Sequence, residues 1–310
     1  MRILIVGGTG YLGTYFTNYL KERHDLRLFV RSVPDYLKSH LSKHDVHIGE
    51  LTNPDTLKGL FDNVDAMIHL ASPPSFHCVN VKTALDSNVT GLMNLLDVAQ
   101  NSHIKKIVYF STFHVYRPGL YDIHENSPTD NHHPYAWSHI TAEQMIKYYS
   151  QKNNWQYGII RSANGYGIPL FKESQGWGLV INKLCKEAID NHTVTLTTDG
   201  TEYRNFIHNS EQAKMAEILI NSNHNGVFNL GGEETISLRN LAQIIIDKHY
   251  NLNGEKVELN ALPITEHKKP DPFYYNIERA KKIGFTPNDS IEGHVEKMIK
   301  EMIKEKINTV

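Results

Sequence analysis

The stretch that decides the fold runs from Ile3 to Gly13 and reads ILIVGGTGYLG. Its first four residues form an uninterrupted apolar run, which is typical of a strand buried on both faces of a parallel sheet. The glycines that follow lead directly into Leu12, Phe16 and Leu20, whose spacing places them on one face of a helix. The segment therefore predicts a strand, a tight turn and a helix at the beginning of the chain.

The same alternation of strands and helices continues to about residue 168. Short apolar runs predict five more strands, at 26–30, 46–48, 66–70, 107–110 and 158–161. Helical patterns lie between several of these runs, which indicates right-handed parallel βαβ units. The predicted fold class is therefore α/β, a Rossmann-type doubly wound parallel sheet with a smaller C-terminal α+β lobe.

The pattern becomes mixed after residue 168, and this change sets the expected domain boundary. Residues 1–168 are predicted to form the Rossmann domain, to which the chain returns around 204–232. Residues 169–310 are expected to form mainly the second lobe, with helices at 177–190 and 210–221 and a last helix from about Ile291. Because ligands of doubly wound sheets bind at the carboxyl edge of the strands, we expect this lobe to cover that edge and bind the substrate.

Composition and charge exclude several classes of protein. The 310 residues are 40% hydrophobic and 21% charged, as expected of a folded chain rather than a disordered one. Lys and Arg number 32 against 34 Asp and Glu, and no basic stretch predicts nucleic acid or a membrane surface as a partner. Cys78 and Cys185 form no CxxC pair and are expected to be reduced, buried thiols. Since no apolar segment is long enough for a membrane span or a signal peptide, we expect a cytoplasmic protein.

The glycine turn itself predicts a ligand. Gly7, Gly10 and Gly13 are spaced three residues apart between the first strand and the first helix. Such a turn lets the backbone approach a pyrophosphate closely and seats that anion on the helix N-terminus. We therefore expect a bound dinucleotide, and the alternative is that the glycines serve only a sharp turn.

The end of the second strand predicts which dinucleotide is bound. An acidic side chain at this place binds the ribose 2′-hydroxyl of NAD, whereas an arginine accepts the 2′-phosphate of NADP. The sequence here is Val30-Arg31-Ser32, with a cation and a hydroxyl but no carboxylate. NADP is thus favoured and NAD remains possible, and in the alternative view Arg31 is an ordinary surface charge.

Six further motifs, in order, resemble one protein family. They are Gly49-Glu50-Leu51, Asp65 to Ser72, Asn88-Val89-Thr90-Gly91, Val108 to Tyr116, Arg161 to Gly167, and Arg204 to His208. With the glycine turn, the whole chain resembles the extended short-chain dehydrogenases/reductases, within the NAD-dependent epimerase/dehydratase family that modifies nucleotide sugars.

The resemblance implies a set of site residues. The implied catalytic residues are Thr112, Tyr135 and His139. The implied cofactor-binding residues are Gly7, Gly10, Tyr11, Leu12, Gly13, Arg31, Ser32, Glu50, Leu51, Leu70, Ala71, Ser72, Asn88, Tyr135, His139 and Ala163. The implied substrate-binding residues are Ser72, Thr112, Asn164 and Arg204. The adjacent pair His132-His133 lacks metal-ligand spacing, so no metal site is expected. The resemblance also implies a homodimer formed through the helices at about 83–100 and 135–150.

The catalytic segment departs from the family pattern at one position. The family carries Y-x-x-x-K on a helix, whereas this chain reads Tyr135-Ala136-Trp137-Ser138-His139. Residues i and i+4 share a helix face, so Tyr135 and His139 are expected to point toward the same site. One hypothesis is that His139 replaces the lysine, either as a cation or through its N–H. The other is that the protein binds a dinucleotide as a sensor or scaffold without turnover.

The activity implied by the resemblance is hydride transfer at a carbon of a nucleotide sugar, with Tyr135 as acid/base. Dehydratases of this family carry an Asp-Glu pair after the catalytic threonine, and Phe113 and His114 occupy those positions here. Dehydration is therefore not expected. Epimerisation and reduction of a 4-keto sugar both remain, and reduction of a small non-nucleotide carbonyl is a further alternative.

Overall fold

The computed structural model describes residues 1–264, 271–287 and 290–307. The first half of the chain alternates strands with helices throughout. Its elements are β1 (Arg2–Val6), α1 (Tyr11–Leu20), β2 (Asp25–Val30), α2 (Lys38–Leu41), β3 (Asp45–Ile48), β4 (Ala66–His69), α3 (Val81–Leu85), α4 (Gly91–Ala99), β5 (Lys106–Thr112), β6 (Asp122–Ile123), α5 (Pro134–Asn153) and β7 (Gln156–Ser162).

The second half contains shorter strands and two long helices. Its elements are β8 (Asn164–Tyr166), α6 (Val180–Asn191), β9 (Thr193–Thr195), β10 (Tyr203–His208), α7 (Asn209–Ile220), β11 (Gly226–Leu230), β12 (Thr235–Ser237), α8 (Leu238–Asn253), β13 (Glu258–Asn260), β14 (Tyr274–Tyr275), α9 (Glu278–Lys282) and α10 (Ile291–Ile307).

Seven parallel strands form the main sheet, in the order β11-β7-β5-β4-β1-β2-β3. The order runs outward in opposite directions from the neighbouring pair β1 and β4. In doubly wound sheets this reversal opens a crevice outside the carboxyl ends of the two strands, where ligands bind. The predicted α/β class and Rossmann-type sheet are confirmed.

The central strand shows why these residues form a sheet covered on both sides. Ile3 and Ile5 belong to one apolar cluster, and Leu4 and Val6 belong to another. All four side chains are fully buried. Because successive strand residues face opposite sides, a continuous apolar run requires helices on both faces. The predicted burial of β1 on both faces is confirmed.

A third apolar cluster forms the core of the second lobe. Helices α6, α8 and α10 pack against one another around it, next to a three-stranded sheet of order β12-β10-β8 and the pair β13-β9. Helix α8 was not predicted from the sequence. The last part of this half returns to the main sheet, where β11 pairs with β7.

Two other features bear on the sequence expectations. Cys78 and Cys185 are both buried and free, as predicted. In the described parts of the chain, every helix is too short or too polar to cross a bilayer.

Candidate active site

The turn between β1 and α1 has the shape that a phosphate group requires. Gly7 has a φ of +94°, which L side chains rarely adopt. A Cβ at Gly13 would overlap the Gly7 carbonyl oxygen and lie 2.8 Å from the Gly8 Cα, so only glycine lets the helix pack this close. Gly10 begins the helix without a side-chain cap, which leaves the first backbone N–H groups of α1 available to an anion. These observations fit a dinucleotide pyrophosphate.

The end of β4 lies directly beside this turn. A Cβ at Gly7 would come within 3.0–3.2 Å of Ala71, and Leu70 donates a backbone hydrogen bond to Val6 at 3.0 Å. The segment Leu70-Ala71-Ser72 therefore lines the crevice at the point where the strand order reverses. The structure brings these three predicted residues together with the glycine turn.

The residues predicted to hold the adenine end lie after β2 and β3. Arg31 and Ser32 are exposed, and within the described ranges neither side chain has a hydrogen-bond or ionic partner. Glu50 is also exposed, and its backbone N–H donates to Thr56 at 2.9 Å. Leu51 packs against the start of α4, where a Cβ at Gly91 would lie 2.8 Å from it. This end of the crevice is open to solvent.

Tyr135 and Thr112 meet at the opposite side of the crevice. Thr112 is the buried last residue of β5, and Tyr135 lies in the first turn of α5. Burial raises the pKa of Tyr135 to about 12, while a hydrogen bond with Thr112 acts in the opposite direction. The phenol and the hydroxyl therefore face each other, and the phenol is protonated at neutral pH.

His139 lies one helical turn after Tyr135 and is almost completely buried, at 1% exposure. The two ring centroids are 4.6 Å apart with the rings at 73°. His139 Nδ1 lies 2.8 Å from the Tyr109 hydroxyl, and Nε2 lies 3.2 Å from Ser72 Oγ. The i, i+4 expectation that residues 135 and 139 point toward one site agrees with this contact.

The His139 ring is neutral. Burial, followed by His69 and His114, lowers the pKa of His139 to about 3. The Ser72 hydroxyl donates to the Pro73 carbonyl at 3.2 Å, so His139 Nε2–H donates to Ser72 and Nδ1 accepts from Tyr109. The low pKa disfavours the cation, one of the two ways in which His139 was expected to replace lysine, and replacement through the N–H stays a prediction.

Two residues of this cluster were not singled out as site residues. Tyr109 was assigned only to a buried strand, yet its hydroxyl fixes the orientation of His139. His69 was expected to be a satisfied core histidine. Its ring centroid lies 5.4 Å from that of Tyr109 with the rings tilted at 44°, and its buried Nε2 has no hydrogen-bond partner among the described residues. Burial lowers the pKa of His69 to about 4, so it is neutral as well. The expectation that the His69 ring is hydrogen-bonded is wrong for Nε2.

Asn88 supports the start of α5 from a neighbouring helix. It lies in a π-helical turn, Asp86–Thr90, between α3 and α4. Its Nδ2 donates to Ser138 Oγ at 2.9 Å, and Ser138 in turn donates to the Tyr135 carbonyl at 2.9 Å. Such turns occur frequently at functional sites. Asn88 is almost completely buried and therefore positions the start of α5, where Tyr135 lies.

A buried ion pair joins α5 to the sheet. Glu143 accepts two hydrogen bonds from Arg161 on β7, at 3.0 and 2.7 Å, and one from Ser111 at 2.6 Å. The side chains of the pair are 1% and 5% exposed. Because Ser111 precedes Thr112, this network fixes the end of β5 relative to the helix that carries Tyr135.

The substrate side of the crevice is formed by β8, β10 and the loop after β7. Asn164 donates to the Asn205 carbonyl at 2.9 Å, which ties β8 to β10. Ala163 is buried, and its N–H donates to the Leu230 carbonyl at 2.8 Å. Arg204, next to Asn205 on β10, is partly exposed, and its guanidinium lies 4.0 Å from the carboxylate of Glu202.

His114 is a further side chain at this place. Its ring lies 6.1 Å from that of Tyr135 in an edge-on arrangement. Desolvation, then the charges of Arg204 and His133, lower the pKa of His114. His114 therefore lies beside Tyr135 and close enough to Arg204 to respond to its charge. From sequence, His114 was noted only because it occupies a position where dehydratases of the family carry an acid.

Tyr11 links the glycine turn to the second lobe. Its hydroxyl donates to the Gly167 carbonyl at 2.7 Å and accepts from Asn182 Nδ2 at 3.2 Å. Its ring packs so closely on Gly176 that no Cβ fits there. A residue predicted to bind cofactor thus also contacts the loop before α6 and the helix itself.

Comparisons with known proteins agree with this geometry. The model of the NAD dependent epimerase/dehydratase family matches residues 3–231. UDP-glucuronic acid decarboxylase 6 of Arabidopsis thaliana is 26% identical over 93% of this chain and 84% of its own length.

Two solved structures share the fold over nearly the whole chain. UDP-N-acetylglucosamine 4-epimerase from Methanobrevibacter ruminantium has a TM-score of 0.84 at 19% identity, covering 98% of each chain. UDP-glucuronic acid 4-epimerase from Bacillus cereus, solved with UDP-glucuronic acid and NAD, has a TM-score of 0.81 at 19% identity, covering 98% of this chain and 100% of that one. The expected resemblance is confirmed, and this chain belongs to the NAD-dependent epimerase/dehydratase family of extended short-chain dehydrogenases/reductases.

Proposed function

We propose that this protein transfers hydride between a nicotinamide dinucleotide and a carbon of a nucleotide sugar, with Tyr135 as the acid/base. One observation carries the proposal. The phenol of Tyr135 faces the hydroxyl of Thr112 at the carboxyl end of β5, across the crevice from the glycine turn. A sugar hydroxyl or carbonyl held between the two groups would exchange a proton with Tyr135 and a hydrogen bond with Thr112.

The chain offers contacts for each part of the dinucleotide. The turn from Gly7 to Gly13 would hold the pyrophosphate, the segment 70–72 would line its path, and Arg31 would meet the adenine ribose. When bound, the dinucleotide supplies the hydride donor or acceptor. The protein contributes orientation and proton transfer, and Ser72 together with His139 stands where the ribose hydroxyls are expected.

The neutral state of His139 favours reduction over epimerisation. A protonated phenol is ready to donate a proton to a carbonyl oxygen that is being reduced. Epimerisation also requires Tyr135 to remove a proton, and within the described residues position 139 supplies no positive charge that would favour the phenolate. The names of the similar epimerases favour epimerisation. We therefore propose reduction of a 4-keto sugar as the first reaction and epimerisation as the second.

Arg204 and Asn164 are the proposed contacts for the nucleotide sugar. Arg204 is partly exposed beside His114 and suits a diphosphate, since a guanidinium donates parallel hydrogen bonds to two oxygens. The similar epimerases and the decarboxylase act on UDP-sugars by their names, which supports a nucleotide sugar as substrate here. The nucleotide base and the sugar remain open.

The choice between NADP and NAD depends on Arg31. This exposed side chain is free to pair with a 2′-phosphate, which favours NADP, whereas the Bacillus cereus structure contains NAD. Replacing Arg31 with alanine should weaken NADPH binding by about 10- to 100-fold, since a charged hydrogen bond contributes about 1.5–3 kcal/mol. NADH affinity should stay the same. Calorimetric titration measures both, and equal losses for the two dinucleotides would contradict a role in selection.

A second candidate function is dinucleotide sensing without turnover. It is supported by the same neutral His139, because loss of the lysine removes the charge that assists the tyrosine. A third candidate, reduction of a small non-nucleotide carbonyl, predicts that UDP-, GDP- and dTDP-sugars do not stabilise the protein. Bound ligand raises the apparent stability by about 2.7 kcal/mol at one hundred times Kd, so thermal unfolding with each sugar nucleotide tests this.

The decisive experiment starts with the dinucleotide that copurifies. Tightly retained NAD supports the epimerase, and an empty site that prefers NADPH supports the reductase. Turnover is then assayed with UDP-glucose, UDP-glucuronic acid and their 4-keto forms, for the wild type and for Tyr135→Phe. Tyr250→Phe, which changes an exposed tyrosine of α8, is the matched control. Loss of turnover only in Tyr135→Phe supports the proposal, and turnover that survives this change refutes the role of Tyr135.

The quaternary state is also a proposal. We expect a homodimer through α4 and α5, which expose Met93, Trp137 and Tyr148. Light scattering at several concentrations tests it, and a monomer throughout would contradict it. The division of the chain near residue 168 and a cytoplasmic location remain predictions.

A further inference from the structure

Three potential metal ligands converge where α6 and α8 end, in the second lobe. His192 directly follows α6, His249 lies in the last turns of α8, and Glu255 lies two residues beyond that helix. One ligand atom from each lies within 4.8 Å of the other two. We propose that His192, His249 and Glu255 form a binding site for a divalent transition-metal ion of the zinc type.

The distances suit a small coordination sphere. His192 Nδ1 is 3.6 Å from Glu255 Oε2, which is too long for a hydrogen bond. In a tetrahedral zinc site with bonds of about 2.1 Å, neighbouring ligand atoms are about 3.4 Å apart. The distance between His192 Nδ1 and Glu255 Oε2 is therefore already close to the distance between two ligand atoms of one zinc ion.

The side chain of Asn253 forms hydrogen bonds with both His249 and Glu255. Its Nδ2 donates to Glu255 Oε2 at 2.8 Å and to His249 Nε2 at 3.2 Å. A positively polarised N–H group thus lies between a carboxylate and an imidazole lone pair. A cation bound to both would take over this position, so Asn253 would move aside on binding.

His249 presents a ring nitrogen with a lone pair. Its Nε2 accepts a hydrogen bond from Asn253 Nδ2 at 3.2 Å, so this nitrogen carries no proton. A metal ion binds imidazole through such a nitrogen.

The ligand set favours zinc over calcium or magnesium. Two imidazoles and one carboxylate form the donor set of many zinc sites, whereas calcium and magnesium prefer oxygen ligands. The ammonium of Lys306 is held at the end of α6, where its Nζ donates to the Ile189 carbonyl at 2.7 Å. The carboxylate of Glu255 supplies one negative charge, which would offset part of the positive charge of the ion.

Binding would fasten two segments of the lobe to each other. His192 has a φ of +53°, a left-handed conformation that few residues other than glycine adopt. Its carbonyl accepts from the Glu258 backbone at 3.0 Å, at the start of the pairing of β9 with β13. The ion would add a second link between these segments, remote in sequence from Thr112 and Tyr135.

Zinc titration of the full-length protein against a competing chelator tests the proposal without any assay of turnover. His192→Gly and Glu255→Gln remove ligands that are about half exposed. Glycine at position 192 also accepts the φ of +53° without strain. His103→Ala, an exposed histidine elsewhere, is the matched control for non-specific binding. We expect one tight zinc per wild-type chain, at least about tenfold weaker binding in both ligand variants, and no change in the control.

Cobalt provides the second measurement. Cobalt bound by the wild type should show the strong visible absorption of a four-coordinate ion, and this band should be lost in His192→Gly but kept in His103→Ala. The proposal is overturned if the ligand variants bind zinc as the wild type does. It is equally overturned if the control loses binding to the same extent, or if no tight zinc is bound at all.

Discussion

Replacing His139 with lysine introduces an ammonium group beside the phenol of Tyr135, and its effect on the pKa of Tyr135 can be worked out from the structure. The ring centroids of residues 135 and 139 are 4.6 Å apart. We take a protonated lysine whose ammonium lies about 5 Å from the phenolate oxygen. At an effective dielectric constant of about 20, this charge favours the phenolate by about 3 kcal/mol, or about 2 pKa units. The pKa of Tyr135, about 12 in the wild type, should therefore fall to about 10 in His139→Lys.

The measurement does not depend on knowing the substrate. The protein is labelled isotopically at the tyrosine Cζ, the Tyr135 resonance is assigned from its absence in Tyr135→Phe, and its chemical shift is followed with pH by NMR. His139→Gln, which keeps a neutral polar side chain, is the control and should leave the pKa unchanged. A pKa that does not move in His139→Lys, or that moves equally in the control, would refute the claim that charge at residue 139 governs Tyr135.

Three further predictions concern stability and binding. Glu143→Gln should destabilise the fold by about 3–5 kcal/mol, because Arg161 is left buried without its partner, and urea unfolding measures this. Gly13→Ala should abolish dinucleotide binding in calorimetry, since its Cβ overlaps the turn, while Gly178→Ala, with open space around it, should bind normally. The folded pKa of His139, about 3, lies below its unfolded value of 6.5. The contribution of His139 to the free energy of unfolding is therefore complete above pH 6.5, and it is lost by about 1.4 kcal/mol per pH unit as the pH falls toward 3. In His139→Gln, the free energy of unfolding should fall less steeply in this pH range.

The first half of the fold was predictable from sequence because its signals are local. The side chains of Ile3 to Val6 must be covered on both faces of the sheet. Helix α1 can pack this close to the turn because Gly13 has no Cβ, which would overlap the Gly7 carbonyl oxygen. Strand positions predicted at 26–30, 46–48 and 66–70 lie within one residue of those observed. The long helix predicted at about 83–100 is interrupted by the π turn at Asp86–Thr90, which no apolar pattern encodes.

Helix α8 shows what was overlooked. Leu238, Leu241, Ala242 and Ile245 are buried with helical spacing, Ser237 caps the N-terminus by accepting from the Asn240 N–H, and Gly254 ends the helix with a φ of +75°. These are the start and stop signals of a helix, so the sequence does contain the information needed to predict α8.

The candidate site was predictable in its residues but not in its electrostatics. Spacing of four residues was enough to place Tyr135 and His139 on one face of α5. That His139 is neutral depends on burial beneath Ser72 and Tyr109, which come from two other strands and their loops. A free histidine titrates near pH 6.5, and only the tertiary structure moves that value.

The hydroxyl of Tyr11 connects the glycine turn to the second lobe through its hydrogen bonds with Gly167 and Asn182. A movement of the loop before α6 would therefore reach the start of α1. Under the proposed function, the dinucleotide and the sugar nucleotide would then change each other's affinity, and by linkage this change would be reciprocal.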